Sequence, residues 1–216
     1  MRNARVKICG LTREEDLAAA VAAGADAVGF LVGVPSSPRN LTPERAKPLL
    51  SQVPVFVDSV VVTAPTRIEW LVEVCERLKP SAIQIHGKKQ LDSSKIRERT
   101  GNTRLIKTVY VTQDALKEEV INELKTFDAV LLDSFSKGQY GGTGKVHDWN
   151  LSKQITEAVA PVPVILAGGL KPENVKEAIL KVKPYAVDVA SGVEASPGVK
   201  DHGKVRAFVE NAKKSK

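Results

Sequence analysis

The sequence predicts a single (β/α)8 barrel over residues 1–216. Eight short runs rich in Val and Ile alternate with eight longer amphipathic patterns, the arithmetic of a small barrel. The short runs alternate poorly between apolar and polar residues, as parallel strands buried on both faces do. A doubly wound open sheet would give much the same string, so periodicity alone leaves that choice open. The last two runs end in glycine loops, and barrels commonly bind phosphate in the loops after strands seven and eight. Those loops favour the barrel.

In chain order, strands are expected at 6–9, 27–32, 55–62, 82–86, 105–109, 129–133, 164–167 and 186–190. Helical patterns fall between and after them, at 13–23, 43–51, 65–78, 93–100, 113–125, 151–159, 172–182 and about 204–213. Thr42-Pro43-Glu44-Arg45 carries an N-cap threonine with proline at the first helical position, and Lys171-Pro172-Glu173-Asn174 repeats the proline signal. No linker, low-complexity segment or domain boundary interrupts the series.

Composition narrows the function classes. With 43% hydrophobic residues the chain can bury a core, and no apolar stretch approaches the roughly 20 residues needed to span a bilayer. The N-terminus does not read as a secretory signal. Two cysteines far apart suggest neither a disulfide framework nor a metal cluster, so a reducing cytoplasm is expected. Cys75 lies in a helical pattern and reads as a small buried hydrophobe. The net charge of +7 suits an anionic partner, but only 5% aromatic residues leave few stacking platforms for nucleic acid. The basic residues are dispersed except in the terminal Lys213-Lys214-Ser215-Lys216, expected to be a solvated tail. A small phosphorylated substrate suits the charge equally well.

Two strand ends carry chemistry. Arg5-Val6-Lys7-Ile8-Cys9-Gly10 places a thiol at the end of the first strand, and Val130-Leu131-Leu132-Asp133 places a carboxyl group at the end of another. Reactive groups of barrels stand at such ends. The glycine-rich Tyr140-Gly141-Gly142-Thr143-Gly144-Lys145 follows Asp133, and Ala167-Gly168-Gly169-Leu170 and Ala190-Ser191-Gly192-Val193 end the last two strands. Glycine lets backbone N–H groups approach a phosphate closely.

These segments, with Gly24-Ala25-Asp26-Ala27-Val28-Gly29-Phe30, Ser37-Pro38-Arg39-Asn40-Leu41-Thr42, Gln84-Ile85-His86-Gly87 and Val187-Asp188-Val189-Ala190-Ser191-Gly192-Val193-Glu194, closely resemble the phosphoribosylanthranilate isomerase family. The likeness runs in order from Val6 to about His202. It implies a (β/α)8 enzyme of tryptophan biosynthesis that performs an Amadori rearrangement, turning N-(5-phosphoribosyl)anthranilate into 1-(2-carboxyphenylamino)-1-deoxyribulose 5-phosphate. By the same resemblance Asp133 is the general acid and Cys9 the general base; Lys7, which strand alternation places on the same side as Cys9, is a candidate helper of the thiolate. Arg39 holds the anthranilate carboxylate, His86 and Asp188 face the pocket, and Gly142, Gly144, Gly168, Gly169, Ser191 and Gly192 bind substrate. No metal or organic cofactor is implied, because the substrate nitrogen serves as electron sink, and the assembly is a monomer or homodimer.

Both chemical assignments demand shifted ionisation: Asp133 must be held protonated and Cys9 must reach the thiolate. Two rival readings share parts of the pattern, another phosphate-binding sugar-phosphate isomerase or epimerase, and a non-catalytic anion-binding barrel. Neither explains why Cys9, Asp133 and Arg39 occur together. The chain departs from the family in Lys88-Lys89 after Gly87, in Thr63 at the end of the third strand, and in His147 before Asp148-Trp149. His147 and His202 are expected to be solvated.

Overall fold

β-branched residues are stiff at χ1 and pack well on a pleated surface, and the runs of Val and Ile pair side by side as parallel strands. The computed structural model describes residues 4–87, 92–134 and 147–215. Its eight barrel strands are β1 (Arg5–Ile8), β2 (Ala27–Val32), β3 (Asp58–Thr63), β4 (Ala82–Ile85), β5 (Arg104–Tyr110), β6 (Ala129–Asp133), β7 (Val164–Leu166) and β8 (Ala186–Val189). They follow sequence order around the ring, and β1 pairs with both β2 and β8, which closes it. Outside lie α1 (Glu14–Ala22), α2 (Pro43–Ser51), α3 (Ile68–Leu78), α4 (Ser93–Thr100), α5 (Glu118–Leu124), α6 (Trp149–Ala158), α7 (Val175–Val182) and α8 (His202–Lys213).

Two apolar shells result. The larger packs the outward strand faces, such as Val28, Phe30 and Val61, against helix residues such as Leu71, Ile155 and Phe208. The smaller fills the barrel itself with Val60, Val62, Ile106, Leu131 and Ile165. Strand register arranges the inward residues in layers drawn from alternate strands, as closed eight-stranded barrels do. From the N-terminal end upward these are Ala27, Ala82, Ala129 and Ala186; then Lys7, Val60, Ile106 and Ile165; then Gly29, Gln84, Leu131 and Asp188. Polarity rises toward the C-terminal end.

Several boundaries differ from expectation. The third strand begins at Asp58, not at residue 55: Val55 and Phe56 are 81% and 99% exposed, in a turn where the Val57 N–H donates to the Pro54 carbonyl. Pairing starts where the Asp58 N–H finds the carbonyl of Asp26. Thr42 caps α2 as expected, accepting from the Arg45 N–H, with Pro43 opening the helix. Pro172 does not open α7; it lies in a turn in which the Asn174 side chain accepts from the Lys171 N–H, and the helix starts at Val175. The pattern over 113–125 splits into a 3-10 turn, Gln113–Leu116, and α5. Lys213 is no free tail residue: it ends α8 and its Nζ donates to the Gly24 carbonyl.

Three short strands were not anticipated. Asn40–Leu41 extends the sheet beside β2, and Glu194–Ser196 pairs antiparallel with Val199–Lys200 in a hairpin between β8 and α8. Among the described residues no helix is long and apolar enough to cross a membrane. Cys75 is buried in α3, as its pattern suggested, and both cysteines are free thiols.

Candidate active site

The C-terminal mouth of the barrel holds one pocket lined by Cys9, Arg39, Gln84, His86, Asp133, Gly168, Gly169, Asp188, Ser191 and Gly192, among others. Every site residue expected from the sequence that is described in the structure therefore reaches it. Gly142 and Gly144 lie outside the described residues, as do Lys88 and Lys89.

Cys9 follows the last residue of β1, and its N–H donates to the Val189 carbonyl of β8. Space for its thiol comes from Gly29 on β2, where a Cβ would stand 2.7 Å from Sγ and 3.1 Å from Cε of Lys7. Burial pushes the Cys9 thiol above its ordinary value, although the ammonium groups of Lys7 and Lys200 pull it back. Burial thus favours the thiol, whereas the base role demands the thiolate.

Lys7 is wholly interior, its Nζ donating to Gln84 Oε1 at 2.8 Å and to Asp188 Oδ1 at 2.9 Å. Gln84 Nε2 in turn donates to Thr108 Oγ1 at 3.1 Å. Burial alone would lower the lysine's pKa, but Asp188 and Cys9 raise it above its ordinary value. The pocket floor is therefore a satisfied polar network with a fixed positive charge beneath the thiol. Asp188 has a definite structural role there, as counter-ion to Lys7.

Asp133 ends β6, and its Oδ1 accepts from the Ser134 N–H at 2.8 Å. Burial raises its pKa to about 6; the Ser134 bond opposes this rise and Asp188 adds to it. His86 is held neutral, its pKa lowered to about 4 by burial and by the nearby Lys7 and Lys107 cations. Its buried Nδ1 has no hydrogen-bond partner among the described residues.

The glycine loops face the same pocket. Gly168 has a φ of +75°, and a Cβ there would collide with Ser134; a Cβ at Gly192 would stand 1.9 Å from the Leu170 carbonyl oxygen. These two positions need glycine on steric grounds.

Arg39 is buried rather than solvated. Its Nε and Nη2 donate to the two carboxylate oxygens of Glu194, at 2.7 and 2.5 Å. Lys200 Nζ donates to Glu194 Oε1 at 2.9 Å and to the Ala190 carbonyl at 3.0 Å. Sequence reasoning missed Gln84, Thr108, Glu194 and Lys200 as parts of the site. Gln84 and Glu194 fell within quoted segments, but nothing local marks Lys200.

Of the two histidines expected to be solvated, His147 departs from that expectation. His147 is partly buried, its Nδ1 3.2 Å from Ser134 Oγ and close to Gly168, and burial lowers its pKa to about 4. His202 is 46% exposed in its side chain yet paired, its Nε2 lying 2.8 Å from Oδ1 of the fully buried Asp16. Thr63 takes a structural role, accepting from Trp70 Nε1.

A family model described as N-(5'-phosphoribosyl)anthranilate isomerase matches residues 6–211. The chain belongs to this family. The isomerase of Methanosarcina acetivorans is 47% identical, covering 97% of this chain and 93% of the relative. That of Haloferax volcanii is 45% identical, with the same coverage of both chains. Among solved structures, the phosphoribosylanthranilate isomerase of Thermotoga maritima is 39% identical with a TM-score of 0.84, covering 97% of this chain and 98% of its own. Another isomerase structure, 37% identical with a TM-score of 0.81 and the same coverage, is a complex with reduced 1-(o-carboxyphenylamino)-1-deoxyribulose 5-phosphate. As a family member, the chain is an isomerase of tryptophan biosynthesis. The likeness extends through the closed barrel, so the choice against an open sheet is settled.

Proposed function

We propose that Cys9 and Asp133 carry the isomerisation of N-(5'-phosphoribosyl)anthranilate in this single-domain chain. The observation that supports this reading is the convergence of a buried thiol and a raised-pKa carboxyl group, from β1 and β6, on one pocket rimmed by glycine loops. Gly168, Gly169, Ser191 and Gly192 take the phosphate through backbone N–H groups. Arg39 takes the anthranilate carboxylate, and neutral His86 hydrogen-bonds the sugar. Gly142 and Gly144 complete the set as substrate-binding positions.

Asp133 donates its proton to the furanose ring oxygen as the C1'–O bond breaks and the nitrogen lone pair forms the C1'=N bond. Cys9 thiolate then removes the C2' proton. The C–H electrons become the C1'=C2' bond, the iminium electrons return to nitrogen, and the enolamine tautomerises to the ketone. The required protonation, acid on Asp133 and thiolate on Cys9, is the reverse of the resting one. One proton must pass from thiol to carboxylate, at no change in net charge. Each unit by which the thiol's pKa exceeds the acid's costs about 1.4 kcal/mol of barrier. Lys7, under the thiol, and the substrate's own negative charges, near Asp133, both act to narrow that gap.

The soluble partner is a small phosphorylated molecule, the compartment a reducing cytoplasm, and the assembly a monomer or homodimer that sedimentation would resolve. A fluorescence assay on the anthranilate-derived substrate tests the chemistry. Turnover by the parent with near-complete loss in both Cys9→Ser and Asp133→Asn is expected. Full activity in either variant removes that residue from the mechanism.

A further inference from the structure

Arg39 meets a carboxylate before any substrate arrives, and the geometry of that contact is selective. Its fork has five N–H donors. The Nε/Nη2 edge is used by Glu194 through two short parallel bonds. The opposite edge, formed by Nη1 and the second Nη2 hydrogen, meets no acceptor among the described residues. Arg39 itself lines the pocket. A guanidinium gripped along one edge is fixed in plane and rotation, which a lone arginine on a loop is not.

Glu194 is fixed in turn. It is 5% exposed in its side chain, Lys200 is 0% exposed, and their atoms lie 2.9 Å apart. The Lys200 N–H donates to Asp16 Oδ2 at 3.1 Å, tying the hairpin that carries both residues to α1. Arg39's own stem rests against Gly10, where a Cβ would come within 2.5 Å of its Cδ. Burial by itself would raise the Glu194 pKa, but Arg39 and Lys200 hold it below the ordinary carboxylate value. The charges settle what the cluster accepts. Glu194 alone would repel a second carboxylate, whereas Arg39, Glu194 and Lys200 together carry one net positive charge. That suits one further carboxylate on the open edge of the fork.

We propose that Glu194, itself held by Lys200, is a positioning residue that presents the free edge of Arg39 to the ortho-carboxylate of the substrate and so sets selectivity for a carboxylated aniline ring. This rests on the assignment of Arg39 given above. Calorimetric titration of reduced 1-(o-carboxyphenylamino)-1-deoxyribulose 5-phosphate, beside its phenylamino counterpart lacking the carboxyl group, tests it in the parent, Glu194→Gln, Lys200→Met and Arg39→Gln. Glu194→Gln is expected to weaken the carboxylated analogue about tenfold, the effect of losing one charge-assisted contact, and to leave the carboxyl-free analogue within about threefold. Lys200→Met should repeat that pattern more weakly. Equal losses on both analogues, or none on either, would overturn the proposal, the first because it reports a role only in folding. If Arg39→Gln shows no carboxyl-specific loss, the Arg39 assignment itself fails. If Arg39→Gln shows that loss and Glu194→Gln does not, Glu194 alone is ruled out. Should Glu194→Gln fail to fold, Glu194→Asp, which keeps the charge but shortens the reach, is expected to show a smaller carboxyl-specific loss, and its absence would count against the proposal.

Discussion

The two ends of this barrel are built from the same strands, yet the aspartates before β2 and β6 and the one that ends β6 sit in contrasting surroundings. At the N-terminal end Asp26 and Asp128 precede β2 and β6, and each accepts a backbone N–H from a neighbouring strand, Val6 at 2.8 Å and Leu105 at 2.7 Å. Both also meet a cation, Lys213 and Arg97. At the C-terminal end Asp133 ends β6 in a buried setting that raises its pKa to about 6. The floor beneath is four alanines, and a depression of about 440 Å³ opens there, lined also by Val60, Ile106, Ile165 and Tyr185. The carboxylates of Asp26 and Asp128 tether strand starts through backbone hydrogen bonds and ion pairs. Asp133, the proposed proton donor, is placed where burial disfavours ionisation. The difference lies in position along the strand, not in residue type, and it separates stability from chemistry.

The largest effect should follow from removing the thiol. Cys9→Ser keeps the volume nearly unchanged but offers a far weaker base, so turnover should fall at least 10²–10⁴-fold while binding of the reduced product analogue survives. Turnover within tenfold of the parent would break the division between the ends, because the mouth would then lack its base.

Asp133→Asn should cost kcat a similar roughly 10²–10⁴-fold, with a signature in pH. In the parent, the fraction of enzyme with Asp133 protonated and Cys9 ionised is constant between about pH 6 and the raised thiol value. The kcat/KM profile should therefore be flat there and fall on both sides. A steady decline from pH 6 to 9 would contradict the pairing. In the variant the residual rate should rise with pH, following the thiolate alone. Stability gives the independent readout. The folded pKa of Asp133 is raised from 3.8 to about 6, so its favourable contribution is complete below about pH 3.8 and lost as pH rises through about 6. The uncharged asparagine escapes that loss, and the variant should be more stable than the parent at pH 8 by on the order of 1–3 kcal/mol, a gap that closes below pH 4. A variant less stable at pH 8 would make Asp133 a tether like Asp26.

Much of this division was legible in the sequence, because it is written in local patterns. Apolar runs that stop at Cys9 and at Asp133 mark strand ends, and the paired glycines mark loops that a backbone must approach closely. What the sequence hid is set by distant partners. Lys200 meets Glu194 through a hairpin whose turn residues carry no strong strand signal. Gln84 and Thr108 look like ordinary strand residues until register places them in adjoining layers beside Lys7. Val55 and Phe56 read as strand by propensity, but no neighbour pairs with them, and exposure overrides propensity. His147 is partly buried beside Ser134, 13 residues before it in sequence. The Cys9 thiol's raised pKa depends on burial, which no spacing reports.

A smaller effect is expected at the phosphate loops. Gly192→Ala brings a Cβ against the Leu170 carbonyl oxygen, so the turn after β8 must shift. The substrate's phosphate is then held less well, and KM should rise roughly tenfold, with kcat falling less, as for loss of one charge-assisted contact. Inorganic phosphate inhibition should weaken in parallel. Unchanged inhibition would place the phosphate elsewhere in the mouth.

The smallest effect should come from the floor, and its smallness is the test. Ala82 points into the depression at the N-terminal end, in the layer below Val60 and Ile106. Valine there adds two buried carbons to partly empty space and suits a strand better than alanine, so Ala82→Val should stabilise the fold by about 0.5–2 kcal/mol, or a few degrees in Tm. Turnover should stay within about twofold of the parent, since Cys9 and Asp133 lie three and four layers higher in the barrel. One path could carry the change upward. Lys7 lines the depression and also holds Gln84 and Asp188 in the pocket floor, so a bulkier residue that displaced it would disturb the thiol's counter-charge. A stable variant with a tenfold loss in kcat/KM would show that the two ends are coupled through this lysine. A stable variant with parent kinetics would show that the layer of Val60, Ile106 and Ile165 insulates the mouth from the floor.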